Sequence, residues 1–215
     1  MTKELKKRII TSIILLAIIL NCLFISNYSW LLLLSLVSLI CWFEFINLFK
    51  RIWKKKTIII LPIILSFLFL CLFIYTTYKI RIDFGEDAIL FILGICIFSD
   101  IGGYVVGKTI GGKKLTKISP NKTVSGSIGS FLFSLFPIVI VMVLGFEKDF
   151  VKETIFFCLF ISLACQLGDL IISYFKRLAK VKDTGNILPG HGGMLDRIDG
   201  VIFALPTLLI VNYVL

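Results

Sequence analysis

The chain has 215 residues, 58% of them hydrophobic and 17% charged, with a mean hydropathy of +1.01 and a formal net charge of +10. That composition excludes a soluble globule hiding its apolar groups in one core and makes the bilayer the solvent. The six cysteines, at 22, 41, 71, 96, 158 and 165, all fall in apolar stretches with no CxxC pair, so they act as small hydrophobes rather than metal or disulfide partners.

Apolar runs able to cross roughly 30 Å of hydrocarbon, about 20 helical residues, recur along the sequence. They cover about 9–26, 28–49, 57–78, 88–107, 126–145, 154–175 and 200–215. Unpaired strand edges are not tolerated in lipid, so these runs predict helices and an all-α polytopic integral membrane protein with about seven transmembrane helices. Three spans fall in residues 1–87, and four, with cytosolic loops at 108–125 and 176–199, form a second transmembrane region at 88–215. The first span follows a basic stretch as a signal peptide would, but no small-residue cleavage site follows it, and it is expected to be retained.

An N-terminus in the cytosol makes the loops alternate so that 19 of the 23 Lys and Arg residues lie on the cytosolic side. They fall at 3–8, 50–56, 108–122 and 176–197, whereas the outer side holds Lys79, Arg81, Lys148 and Lys152. The positive charge at one face suits anionic head groups and nucleotides, and it also serves as a topology signal alone.

Three carboxylates lie within predicted spans, where ionised acids cost about 2.5–3.5 kcal/mol at a helix centre. Counted at 1.5 Å per residue from the nearest cytosolic basic residue, Glu44 is roughly 9 Å deep, Asp169 roughly 10 Å and Asp100 roughly 12 Å. Glu44 is near enough to the interface to reach Lys50 or head-group water, and it is left outside the site. In the fourth span Ser99, Gly103, Gly107 and Gly111 recur every fourth residue, a pattern that lets another helix approach closely and carries Asp100 on the neighbouring face. In the sixth, Ser162, Gln166, Asp169, Ser173 and Lys176 form one polar stripe leading from the membrane interior to a basic loop.

The loop after the fourth span, KTIGGKKLTKISPNKTVSGSIG from Lys108 to Gly129, sets five lysines among turn and hydroxyl residues. Its composition suits phosphate contact and is common in polar loops generally. Far more specific are the 27 residues from Ser173 to Asp199, SYFKRLAKVKDTGNILPGHGGMLDRID, with five basic side chains, three carboxylates, the only histidine and four glycines. The PGHGG run is expected to free backbone amides just before a helix starting near Met194, where the dipole favours an anion. Asp196 and Asp199, three apart, can share one helix face and a cation, or simply complement that dipole. His191, flanked by glycines, is assigned phosphate contact rather than catalysis.

The run S-x-F-K-R-x4-K-D-x-G-x2-L-P-x-H-G-G-x-x-D-R-x-D resembles the signature of the phosphatidate cytidylyltransferases, also called CDP-diacylglycerol synthases, at every constrained position from Ser173 to Asp199. Supporting resemblance extends to GDL at 168–170, SPNKT at 119–123 and SDIGGYVVG at 99–107, and is only hydropathic over the first half. What the resemblance implies is transfer of a cytidylyl group from CTP to phosphatidate, with Mg²⁺ and a second cation such as K⁺. It implies a homodimer in the bacterial inner membrane, with the active site facing the cytoplasm and no nucleic-acid partner. Asp169, Asp196 and Asp199 then correspond to catalytic metal ligands. Lys122, Lys176, Arg177, Lys182, Asp183, His191 and Arg197 match positions expected to contact phosphates or organise the loop, and Asp100, Thr123, Ser173, Gly192 and Gly193 join the same substrate-binding set. Two positions depart from the pattern: Ser125 stands where an acidic residue is usual and Gly200 where serine is commoner. The chain is also short for the family, as if one or two N-terminal spans were absent.

A CDP-alcohol phosphotransferase would need DGxxAR and further acids, but VIFALPTLLIVNYVL after Gly200 contains neither Arg nor Asp. A relative acting on another lipid phosphate stays open, because acyl pockets leave no short motif. A transporter of a phosphorylated solute would place its acids between repeated halves near the midplane, whereas here no internal repeat is evident and the charge gathers at one face.

Overall fold

A computed structural model of the chain describes residues 3–143 and 151–214. Lys148 and the last two residues of the predicted span 126–145 lie outside them, as does Leu215. Every regular element among the described residues is a helix: α1 (Lys3–Ile25), α2 (Asn27–Ile52), α3 (Lys56–Thr109), α4 (Val124–Phe133), α5 (Phe136–Val143), α6 (Val151–Leu178), α7 (Leu195–Ile198) and α8 (Val201–Val214). Two isolated bridges, Lys114 with Thr123 and Leu188 with Gly192, close loops rather than build a sheet.

Among the described residues five helical stretches are long and apolar enough to cross a membrane, with α4 and α5 taken together as Val124–Val143 and α3 counted once, where hydropathy predicts seven. The predicted spans 57–78 and 88–107 lie in the two helices that make up α3, which meet at a break at Gly85, with φ 82° and ψ −176°, within the polar residues 79–87 where the sequence places the boundary between the spans. That backbone conformation is open to glycine and not to L side chains. At the other end α8 has 14 residues, fewer than the roughly 20 a span takes.

The chain forms two compact units, Met1–Glu86 with Phe175–Asp199 and Asp87–Tyr174 with Gly200–Leu215. In the first, α2 starts on a capping box in which Ser26 and Ser29 satisfy each other's backbone amides. Its buried stripe runs through Trp30, Leu34, Ser38, Cys41, Phe45 and Leu48 at helical spacing and includes Glu44. Phe49 meets Phe175 edge to face at 5.5 Å and thereby anchors the returning segment on α2. The buried Arg81 of α3 donates from Nε and a terminal nitrogen to the Leu23 carbonyl at the end of α1 and pairs with Glu86 at 3.0 Å. A cation there complements the negative end of the helix dipole.

In the second unit the glycine stripe does what its spacing predicts at two of its three glycines, while Gly111 lies past the end of α3 at φ 64° with open space beside it. Gly103 and Gly107 lie against Ser130, Thr123 and Gly126 of the α4 region so closely that a Cβ would crowd or collide with them. Ser99 instead bonds Ser162 of α6 at 2.8 Å. The start of α8 abuts α6, where Gly200 leaves no space for a side chain beside Cys165.

Candidate active site

In the first unit the polar residues gather around Asp196. The α6 helix ends at Leu178 in a turn with Lys180 at φ 56° and the Val181 amide on the Lys176 carbonyl, which aims the chain back along α2. Residues 188–192 then close a small loop: the His191 and Gly192 amides donate to Leu188 O and the Leu188 amide to Gly192 O. Gly190 and Gly192, at φ 78° and 87°, supply the left-handed backbone this turn demands.

Asp196 is held from both sides. Lys176 Nζ lies 2.8 Å from Oδ1, while Oδ2 accepts from the amides of Thr184 at 2.7 Å and Gly193 at 3.1 Å, with the Thr184 hydroxyl at 3.0 Å. Burial alone would raise the Asp196 pKa. The Lys176 and Thr184 hydrogen bonds, the charge on Lys176 and the Gly193 amide outweigh it, and the pKa falls below its ordinary value. The carboxylate is therefore ionised throughout the physiological range.

The amides expected to await an external anion are thus engaged within the chain. Met194 N donates to Glu44 Oε1 and Leu195 N to Glu44 Oε2, both at 2.9 Å, and the Thr184 hydroxyl lies 2.7 Å from Oε2. The one-turn α7 draws carboxylates as a helix start should, but they are the protein's own. Glu44, outside the predicted site, is the residue that sequence reasoning missed. Its signal was its position on the buried stripe of α2, three residues after Cys41 and four before Leu48.

The remaining signature residues of this unit divide by partner. His191 sits between α1 hydroxyls, with Nδ1 3.0 Å from Thr11 Oγ1 and Nε2 3.3 Å from Ser12 Oγ. Arg197 donates twice to the His191 carbonyl. Arg177 and Asp199 are also engaged in interactions, and Asp199 is the C-cap of α7. Lys182 and Asp183 border a cavity of about 650 Å³ together with Asn47, Lys50, Arg51 and Asn186, so three cations and one carboxylate face it.

The second unit holds the other acids. Asp169 pairs with Lys122 and accepts from Ser173 Oγ at 3.2 Å, and Asp100 is close enough for the charges of Asp169 and Lys122 to act on it. Thr123 caps α4 by accepting from the Gly126 amide at 3.1 Å, which positions Lys122 next to it. The predicted stripe of α6 is wired as a polar column: Ser127 donates to Gln166 at 2.6 Å, and Gln166 reaches Ser162 at 3.3 Å. Ser125, at the departure from the family pattern, bonds the Gly111 carbonyl and closes the preceding loop.

Among the described residues no three His, Cys, Asp or Glu side chains gather as a metal-binding cluster. Asp196 and Asp169 nonetheless offer the hard carboxylate oxygens that Mg²⁺ prefers, and each already carries a cation, Lys176 in one unit and Lys122 in the other. The donor chemistry fits a divalent ion.

Residues 55–215 match the cytidylyltransferase family. Curated relatives include phosphatidate cytidylyltransferases of Helicobacter pylori (strain ATCC 700392 / 26695), 38% identical over 146 residues covering 65% of this chain and 52% of the relative. The enzyme of that name from Staphylococcus haemolyticus is 43% identical over 133 residues, 61% of this chain and 50% of its own. That of Rickettsia bellii is 44% identical over 135 residues, 57% of each. The chain spans about half the length of the curated relatives it matches.

Proposed function

The chain belongs to the cytidylyltransferase family, and from that membership we propose that it is a phosphatidate cytidylyltransferase, converting CTP and phosphatidate to CDP-diacylglycerol and pyrophosphate. The names of its relatives support the substrate pair. The observation that carries the reading is the Asp196 cradle: an ionised carboxylate bound by Lys176 and two amides, in a loop whose cavity is lined by Lys50, Arg51 and Lys182.

The phosphate monoester of phosphatidate is largely ionised near neutral pH, so one of its oxygens attacks the α-phosphorus of CTP without a protein base removing a hydroxyl proton. The bond from that phosphorus to the α,β-bridging oxygen breaks, and pyrophosphate leaves with the electron pair. The protein's task is electrostatic. Asp196, Asp169 and Asp199 are the acids that would hold Mg²⁺, with a second cation such as K⁺. When bound, the divalent ion neutralises and orients phosphate oxygens. Lys122 and Lys176 are the cations that would contact the polyanions, and those of the cavity would attract the nucleotide's phosphates.

The enzyme sits in a bacterial inner membrane as a homodimer with these loops toward the cytoplasm, a placement supported by the 19 cationic residues assigned to that side. Purified protein given labelled CTP and phosphatidate should form CDP-diacylglycerol and pyrophosphate in equal amounts. Removal of divalent cations should stop the reaction, and Mg²⁺ should restore it. Lack of label in lipid would overturn the assignment, and a panel of other lipid phosphates would reveal a different acceptor.

A further inference from the structure

We propose that Glu44, which precedes the segment matching the family, is a positioning residue for the Asp196 carboxylate. Glu44 is 2% exposed, and among the described residues it pairs with no Lys, Arg or His. Burying a carboxylate without a cation is costly unless hydrogen bonds offset it. Its neighbours on the α2 stripe, Cys41, Phe45 and Leu48, fill the same environment at no such cost.

What the carboxylate does there follows from its three donors. The amides of Met194 and Leu195 and the hydroxyl of Thr184 all converge on it. The same stretch of backbone holds Asp196 through the amides of Thr184 and Gly193. The two loop segments are therefore clasped between two carboxylates, with the Thr184 hydroxyl 2.7 Å from one and 3.0 Å from the other and its single proton available to either. The packing leaves no slack. A Cβ on Gly185 or Gly193 would collide with a Glu44 oxygen.

Only an acceptor-only group serves three donors spread over two oxygens. Glutamine, equal in size, sets an NH₂ against an N–H or O–H donor, so the clasp opens although the volume is unchanged. Partners that orient a ligating group typically contribute about 10–100-fold to activity. The kinetic part of the inference rests on the cytidylyltransferase reading; the structural part does not.

The test uses the full chain in detergent, as wild type, Glu44→Gln, Thr184→Val and Thr184→Ser. Backbone hydrogen exchange at Gly193, Met194 and Leu195 needs no substrate, and kcat and KM for CTP are measured per folded molecule. Glu44→Gln and Thr184→Val should exchange faster there and lose about 10–100-fold in kcat, with KM for CTP changed less than about twofold. Thr184→Ser should retain wild-type behaviour. Wild-type protection and kcat in Glu44→Gln would overturn the inference, as would a loss of activity explained wholly by loss of folded protein. Should Glu44→Gln not fold, the Thr184 pair decides in the same way. A wild type that makes no CDP-diacylglycerol sinks the assigned reaction, and the exchange result then decides the role of Glu44 alone.

Discussion

Lys176 and Asp196, twenty residues apart, meet as an ion pair at 2.8 Å with their side chains 16% and 4% exposed. The two carboxylate oxygens are unequal. Oδ2 is filled by the Thr184 and Gly193 amides, whereas Oδ1 accepts from the Lys176 ammonium.

Asp196→Asn tests this arrangement through stability as well as activity. If its amide oxygen keeps the two backbone donors, its NH₂ must face the Lys176 ammonium, a donor against a donor, at a cost of about 1–3 kcal/mol. Thermal unfolding in detergent should show a lowered Tm, partly recovered in Asp196→Asn/Lys176→Met, while CDP-diacylglycerol formation is lost in both. Additive effects of the two substitutions would argue against the pairing.

Lys122→Ala should separate function from stability. The pair with Asp169 has side chains 27% and 33% exposed, and solvent-exposed pairs contribute only about 0–1 kcal/mol. The Tm should barely move, while kcat/KM for CTP falls by about 10-fold or more. A large drop in Tm with unchanged turnover would make Lys122 a structural residue.

The depressed pKa of Asp196 has a definite sign in acid. A carboxylate whose folded pKa lies below the unfolded value of about 3.9 stabilises fully above that value and loses its contribution as pH falls through the folded pKa. The Tm gap between wild type and Asp196→Asn should therefore stay constant from about pH 8 to about pH 5 and close only below about pH 4. A gap closing between pH 7 and 5 would mean that the carboxylate takes up its proton there.

Two glycine substitutions should diverge. Gly193→Ala drives a Cβ into Thr184, Glu44 and the Gly185 amide, and overpacking of this kind costs about 1–3 kcal/mol. Gly94→Ala, inside α3, meets only Pro137 at an ordinary 3.6 Å and gains helix propensity. Thermal unfolding should find the first destabilised and inactive, the second unchanged or more stable.

Hydropathy was enough to read the helical class and membrane character, and the signature from Ser173 to Asp199 was enough to read the family, which the match over 55–215 bears out. Local composition could not reveal what long-range contacts decide. The depth of Glu44 was evident, but its donors lie 140 to 151 residues away. The PGHGG run was legible as a turn, yet nothing nearby in sequence told that its amides end on Leu188 and Asp196, or that those of Met194 and Leu195 after it end on Glu44. The polar residues 79–87 mark a real boundary, since α3 breaks there at Gly85, but the helices on either side run up to that break without the loop their polarity suggests.

The α1 helix gains little from burial: only 6% of its membrane-length window is covered. Hydrocarbon solvates Ile and Leu as well as a neighbouring helix does, so polar contacts carry more of its attachment. They lie in two places, near its C-terminal end, where Arg81 and Ser29 donate to the Leu23 and Cys22 carbonyls, and in its first half, where the Thr11 and Ser12 hydroxyls meet His191. Such a helix behaves as a rod moored by two ropes, and one mooring is the turn that carries the signature histidine. Cutting the far rope at Arg81 would let the rod swing, and the slack would arrive at His191.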